Sequence, residues 1–92
     1  MSDKSKNWFM YIAKCSDKTL YTGITTDIER RIHEHNTTGK GAKYTRSRRP
    51  VELVYLVGFK DRSTAAKAEA RFKKLSREEK LTIIKGTREF LG

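Results

Sequence analysis

The stretch LYTGITTDIERRIHEH, residues 20–35, decides how this chain is folded. Its first five residues, aromatic and branched side chains around a glycine, have the composition of a strand. Thr25, Thr26 and Asp27 are helix N-cap types, Glu29 adds negative charge to a first turn, and IERRIHEHN continues as helix. At about 100° per residue from Ile28, Ile32 falls at about 40°, Arg31 at about 300° and His35 at about 340°. One stripe of about 100° therefore carries two isoleucines, an arginine and a histidine. Either Arg31 snorkels from the edge of a packing face and His35 is a hydrogen-bonded core residue, or that edge lines a polar site.

Upstream, WFMYIAKC (8–15) reads as a buried strand and SDKT (16–19) as a turn, so LYTGI returns as the second strand of a hairpin. Phe9, Tyr11, Ala13 and Cys15 share one face of the first strand, and Tyr21 shares a face with Gly23 on the second. The two tyrosines meet only if the sum of paired residue numbers is even. That requires an odd loop, such as Asp17-Lys18-Thr19, or a bulge. Gly23, lacking a Cβ, leaves space beside Tyr21 for a ligand or another backbone.

Downstream, TTGKGAKYTRSRRP (37–50) reads as a basic loop rather than a packed element, with Gly39 and Gly41 leaving it adaptable. Lys40, Lys43, Arg46, Arg48 and Arg49 are candidate phosphate contacts, and Tyr44 is placed either to stack on an unpaired base or to pack back on the domain. VELVYLVGF (51–59) is a third strand. Asp61 or Ser63 caps a helix in DRSTAAKAEARFKKL, and REEKLTIIKG forms a last helix that stops at Gly86 and closes the core with Leu81, Ile83 and Ile84. The order β-β-α-β-α-α predicts an α+β domain: a small three-stranded antiparallel sheet flanked by helices. Residues 8–92 form the single domain, with 1–7 as a flexible N-terminal arm.

The second helix repeats the anomaly of the first. At about 100° per residue from Ala65, Ala68 falls at about 300°, Phe72 at about 340° and Leu75 at about 280°, with Glu69 at about 40°. A carboxylate beside Phe72 is costly unless it is paired, with Arg31 as one conceivable partner, or bound to a metal. Two helices that each aim ionisable groups at the sheet predict one shared polar site.

Composition narrows the partners. The 92 residues are 36% hydrophobic and 35% charged, with a net charge of +10, which points to a polyanion: nucleic acid first, an anionic membrane surface second. Cys15 is the one cysteine, which excludes an internal disulfide and a Cys-rich zinc site. The polar start and the lack of a run of about 20 apolar residues predict a soluble, cytoplasmic protein without a membrane segment.

The ordered set of FMY ending in Tyr11, YTG from Tyr21, Arg31 with His35, and Glu69 resembles the GIY-YIG nuclease superfamily, over residues 8 to about 75. The chain resembles the small stand-alone bacterial members, which lack additional DNA-binding domains. The resemblance implies metal-dependent hydrolysis of DNA phosphodiesters. Glu69 matches the metal-binding glutamate, for Mg²⁺ or Mn²⁺. Tyr21 matches the tyrosine that acts as general base or positions the attacking water, and Tyr11 matches the supporting tyrosine. In such a site Arg31 would both lower the Tyr21 pKa and bind the scissile phosphate in a fork geometry, and His35 would take or relay a proton, the plainer alternative being that it only orients a tyrosine hydroxyl. Two positions depart from the pattern. Phe9 replaces the first glycine, and Ile24 stands where excision-repair members carry a lysine, so Lys14, Lys40 or Lys43 would supply that cation. The expected substrate is DNA, branched, nicked or otherwise distorted, with RNA left open and a protein partner possible in principle for so small a domain. A nucleic-acid-binding module of the same fold, with little turnover, is the alternative.

Overall fold

The computed structural model describes residues 7–37 and 41–86. Residues 1–6 of the expected arm, and Gly39 and Lys40 of the basic stretch, lie outside the described residues. The strands are β1 (Trp8–Lys14), β2 (Leu20–Thr25) and β3 (Glu52–Phe59); the helices are α1 (Ile28–Thr37), α2 (Lys43–Arg46), α3 (Arg62–Lys73) and α4 (Arg77–Ile84). The sheet is antiparallel in the order β2-β1-β3, the expected α+β architecture with one added helical turn.

The central strand supplies both cores, because alternate side chains leave a strand on opposite faces. Met10 and Ile12 pack with Ala68, Phe72 and Ile83, which belong to α3 and α4. Tyr11, Ala13 and Cys15 pack on the other face with Val51, Tyr21 and the α1 isoleucines Ile28 and Ile32. The helices α1 and α3 therefore do not share a sheet face, contrary to the picture of two helices aimed at one side.

The hairpin register pairs Tyr11 with Gly23 and Ala13 with Tyr21. Both tyrosines thus lie on one face, as an odd loop requires. The loop is Ser16-Asp17-Lys18, one residue earlier than expected: Cys15 N–H donates to the Thr19 carbonyl, and Lys18 takes φ 70°.

Local caps explain where the helices begin. The Asp27 carboxylate accepts from Arg30 N–H at the start of α1, and that of Asp61 accepts from Thr64 N–H at the start of α3. Ser76 and Glu79 form a reciprocal capping box on α4, and Gly86 follows its end at φ +82°.

The basic stretch is more structured than a solvated loop. Its four-residue helix α2 buries Thr45 completely. A Cβ on Gly41 would stand 2.7 Å from both the Glu34 carbonyl oxygen and the His35 Cα. That glycine permits a close approach of two backbones, rather than loop adaptability. Asn36 then ties α1 to the entry of β3, accepting from Val51 N–H at 2.7 Å and donating to the Val51 carbonyl at 3.0 Å.

Candidate active site

The site forms where α1 crosses the tyrosine face of the sheet. Tyr11, 1% exposed, projects from the central strand into the space that Gly23 leaves on β2. An added Cβ on Gly23 would lie 2.6 Å from the Tyr11 hydroxyl oxygen. The Tyr11 hydroxyl meets His35 Nε2 at 2.7 Å, and His35 Nδ1 meets Thr45 Oγ1 at 2.9 Å. Thr45 Oγ1 also bonds the Ala42 carbonyl at 2.9 Å, and the Ala42 N–H donates to His35 Nδ1 at 3.3 Å, so the imidazole is held on both ring nitrogens.

Arg31 closes the cluster from one turn earlier on α1. Its guanidinium donates to Glu34 Oε1 at 3.0 Å and also hydrogen-bonds the Tyr11 hydroxyl. Burial alone would lower its pKa, but Glu34 and the tyrosines outweigh that and raise it, so Arg31 stays cationic. Burial also pushes Tyr11 up to about 12, against the opposing influence of Arg31 and with smaller contributions from Tyr21 and Glu69. Tyr11 is therefore a phenol throughout the physiological range. Burial, then the charge of Arg31, pulls His35 down to about 4, so its ring is neutral at pH 7. Of the two roles the resemblance allows His35, this environment supports orienting the Tyr11 hydroxyl.

Tyr21 is half-buried beside this chain. Its ring centroid lies 6.3 Å from that of Tyr11, 5.2 Å from that of His35 and 6.0 Å from that of Tyr44, which stacks on it. Tyr44 is 39% exposed and carries the Arg48 guanidinium 4.0 Å above its ring. It packs back on the domain while staying partly exposed.

Glu69 comes from α3, which packs on the opposite face over β1 and the edge strand β2, yet its charge reaches Tyr11. It pairs with Lys73 on its own helix at 3.2 Å, not with Arg31. Among the described residues, no group of three or more His, Cys, Asp or Glu could hold a metal. The donor set present, a single carboxylate, fits a hard oxygen-ligated ion that takes its other ligands from phosphate and water, and not a fully protein-caged one.

The basic residues divide. Lys43 and Arg46 are exposed on α2. Arg48 is held by Asp17 at 3.0 Å and by the Tyr44 carbonyl at 2.8 Å, and Arg49 donates to the His35 carbonyl at 2.6 Å. These two arginines fasten the segment to the hairpin and α1. Lys14 lines a cleft against α4, on the other face from the tyrosines, which leaves Lys43 as the described candidate for the missing lysine. Thr45 and Asn36 escaped the sequence reading, since neither a threonine inside a basic run nor a polar residue at a helix end carries a distinctive signal.

The low His35 pKa has a measurable consequence. A histidine held neutral in the fold, with its ordinary value near 6.5, stabilises the protein fully above about pH 6.5; that contribution is lost as pH falls towards about 4. Thermal unfolding followed by circular dichroism is expected to show the melting temperature dropping through this window. His35 nitrogen shifts that titrate near 6.5 in the folded protein would contradict the assignment.

This three-stranded α+β domain sets two phenols, a neutral imidazole and a guanidinium along one strand–helix junction. The chain belongs to the GIY-YIG family, whose catalytic-domain model matches residues 7–82. It is 59% identical over 80 residues to a UPF0213 protein of Desulfotalea psychrophila, covering 87% of this chain and 73% of that one. A UPF0213 protein of Streptococcus agalactiae serotype V is 57% identical over 77 residues, covering 84% of this chain and 86% of its own. Among solved structures, the solution structure of a UPF0213 protein from Bacillus halodurans aligns with TM-score 0.55 at 44% identity, over 85% of this chain and 82% of that one. The solution structure of the protein EF2693 from E. faecalis aligns with TM-score 0.59 at 44% identity, over 95% of this chain and 91% of that one.

Proposed function

We propose that this protein is a metal-dependent endonuclease that hydrolyses DNA phosphodiester bonds, selecting its substrate by structure, such as branches or nicks, more than by sequence. The observation that carries the reading is the convergence of Tyr11, Tyr21, Arg31 and His35 at the Gly23 edge, with the Glu69 charge reaching the same phenol. An Mg²⁺ or Mn²⁺ ion held by Glu69 would neutralise charge on the phosphate and the departing oxygen. Tyr21 orients the attacking water and takes its proton, and Arg31 attracts the scissile phosphate. Tyr11 and His35 are positioning residues. Lys43, Arg46 and the exposed part of Tyr44 guide the strand through sequence-independent contacts to phosphate and base.

A second reading, a binding module with little turnover, has its own support: Glu69 is occupied by Lys73, and Tyr11 and His35 are sealed from solvent. Labelled duplex, single-stranded, nicked and branched DNA, with an RNA arm, incubated with Mg²⁺ or Mn²⁺ separates the two. The nuclease reading expects cleavage that EDTA abolishes and that Glu69→Ala reduces by about 100-fold or more, with binding retained. Binding without cleavage of any substrate favours the module, and cleavage persisting in Glu69→Ala removes the glutamate from the metal site. Lys43→Glu with Arg46→Glu is expected to weaken binding of all these DNAs and flatten its salt dependence.

A further inference from the structure

A second concave site lies on the α4 side of the sheet, away from the tyrosines. A cleft of about 340 Å³ opens between the hairpin end and α4. Leu20 and Val54 from the sheet, with Leu81 and Ile84 from α4, give it an apolar lining, and Lys14, Lys18, Arg77 and Lys85 stand around it. Among the described residues, none that lines it is acidic and none of the four cations pairs with a carboxylate. Glu52, opposite Lys14 in the sheet register, makes no ion pair with it.

Helix and turn stability do not account for this arrangement. Arg77 occupies the first residue of α4, where the helix dipole disfavours a positive charge. There it donates to the Lys18 carbonyl at 2.9 Å, tying the hairpin loop to α4 across 59 positions of sequence. Lys18 takes φ 70°, a conformation that Gly or Asn adopts more readily than lysine. Lys85 alone has a local reason, as a cation at the C-terminal end of α4. Drawing cations from four parts of the chain around an apolar floor costs repulsion that an anion relieves.

We propose that this cleft binds a small organic anion with an apolar body: the body lies on the Leu20, Val54, Leu81 and Ile84 surface, and the anionic head sits among Lys14, Lys18 and Lys85. A fatty carboxylate through its chain, and a nucleoside monophosphate through the flat face of its base, each set an anionic head beside a surface that can lie on this floor. The site is independent of the nuclease reading and stands whether or not the protein cleaves DNA.

The test is fluorescence titration of the full chain with anilinonaphthalene sulfonate, followed by displacement with adenosine monophosphate and, separately, with decanoate. Saturable binding is expected. Lys14→Glu with Lys85→Glu should weaken it roughly tenfold, whereas the same charge change at exposed positions outside the cleft, Lys60→Glu with Lys67→Glu, leaves it unchanged. Displacement by one competitor alone assigns the source of the head group; displacement by both supports the shared chemistry. Binding that does not saturate, that responds equally to both pairs of substitutions, or that neither competitor displaces, overturns the proposal. Circular dichroism of each variant confirms that the fold is retained, and methyl shifts of Leu81 and Ile84 on titration locate the probe independently.

Discussion

Gly23→Ala is expected to lower stability by about 2 kcal/mol and to reduce any cleavage activity by about 100-fold. The new methyl would stand 2.6, 2.8 and 3.0 Å from Oη, Cζ and Cε1 of Tyr11. A flexible side-chain end could swing clear of such a contact, but the Tyr11 ring cannot. It is buried at 1% exposure, bonded to His35 and Arg31, and packed in the core with Ala13, Cys15 and Val51. Relief therefore requires β1 and β2 to separate or the Tyr11 hydroxyl to leave His35, and either shift displaces the groups that surround Tyr21. Chemical denaturation gives the stability loss, and cleavage at saturating DNA gives the activity loss. A Gly23→Ala protein with unchanged stability would show that the gap beside Tyr11 is not filled as described.

His35→Ala is expected to cost about 3 kcal/mol, which for a chain of this length lowers the melting temperature by roughly 15 °C. The imidazole is completely buried, and its removal opens a cavity while stranding the Tyr11 hydroxyl and weakening the hold on Thr45 and α2. The same variant should lose the acid-sensitive step between about pH 6.5 and 4, because the group responsible for it is gone. His35→Gln, which retains an amide able to bond on two sides, should recover part of the stability. If His35→Ala unfolds with the wild-type pH dependence, another group governs the acid transition.

Much of the architecture was legible in local chemistry. The strand composition of residues 8–15 and 51–59, the caps at Asp27 and Asp61, and the stop at Gly86 all depend on neighbours within a few residues. Arg31 and His35 were conspicuous for the same reason, since helical periodicity put them beside Ile28 and Ile32 without any tertiary information. The hairpin parity was legible only as a condition, and the register that pairs Tyr11 with Gly23 met it.

Other features have no local signature. Thr45 sits in a run of arginines and lysines that reads as solvated loop, yet it is buried because His35, ten positions earlier, needs a partner for its second ring nitrogen. Arg48 and Arg49 read from the sequence as phosphate contacts; that Asp17 and the His35 carbonyl also bond them depends on contacts the chain makes only when folded. Glu69 was singled out by its angle on α3, whereas its partner Lys73 and its approach to Tyr11 from the opposite face depend on how α3 lies over the edge strand. By itself, the sequence determined the three strands and the three longer helices, the polar residues on their inward stripes and the family to which their order belongs, because short-range periodicity and capping are written in adjacent residues. Tertiary structure alone decided which of those polar residues are sealed, which are paired and which remain open to a ligand, because burial and partner choice arise only when distant segments pack together.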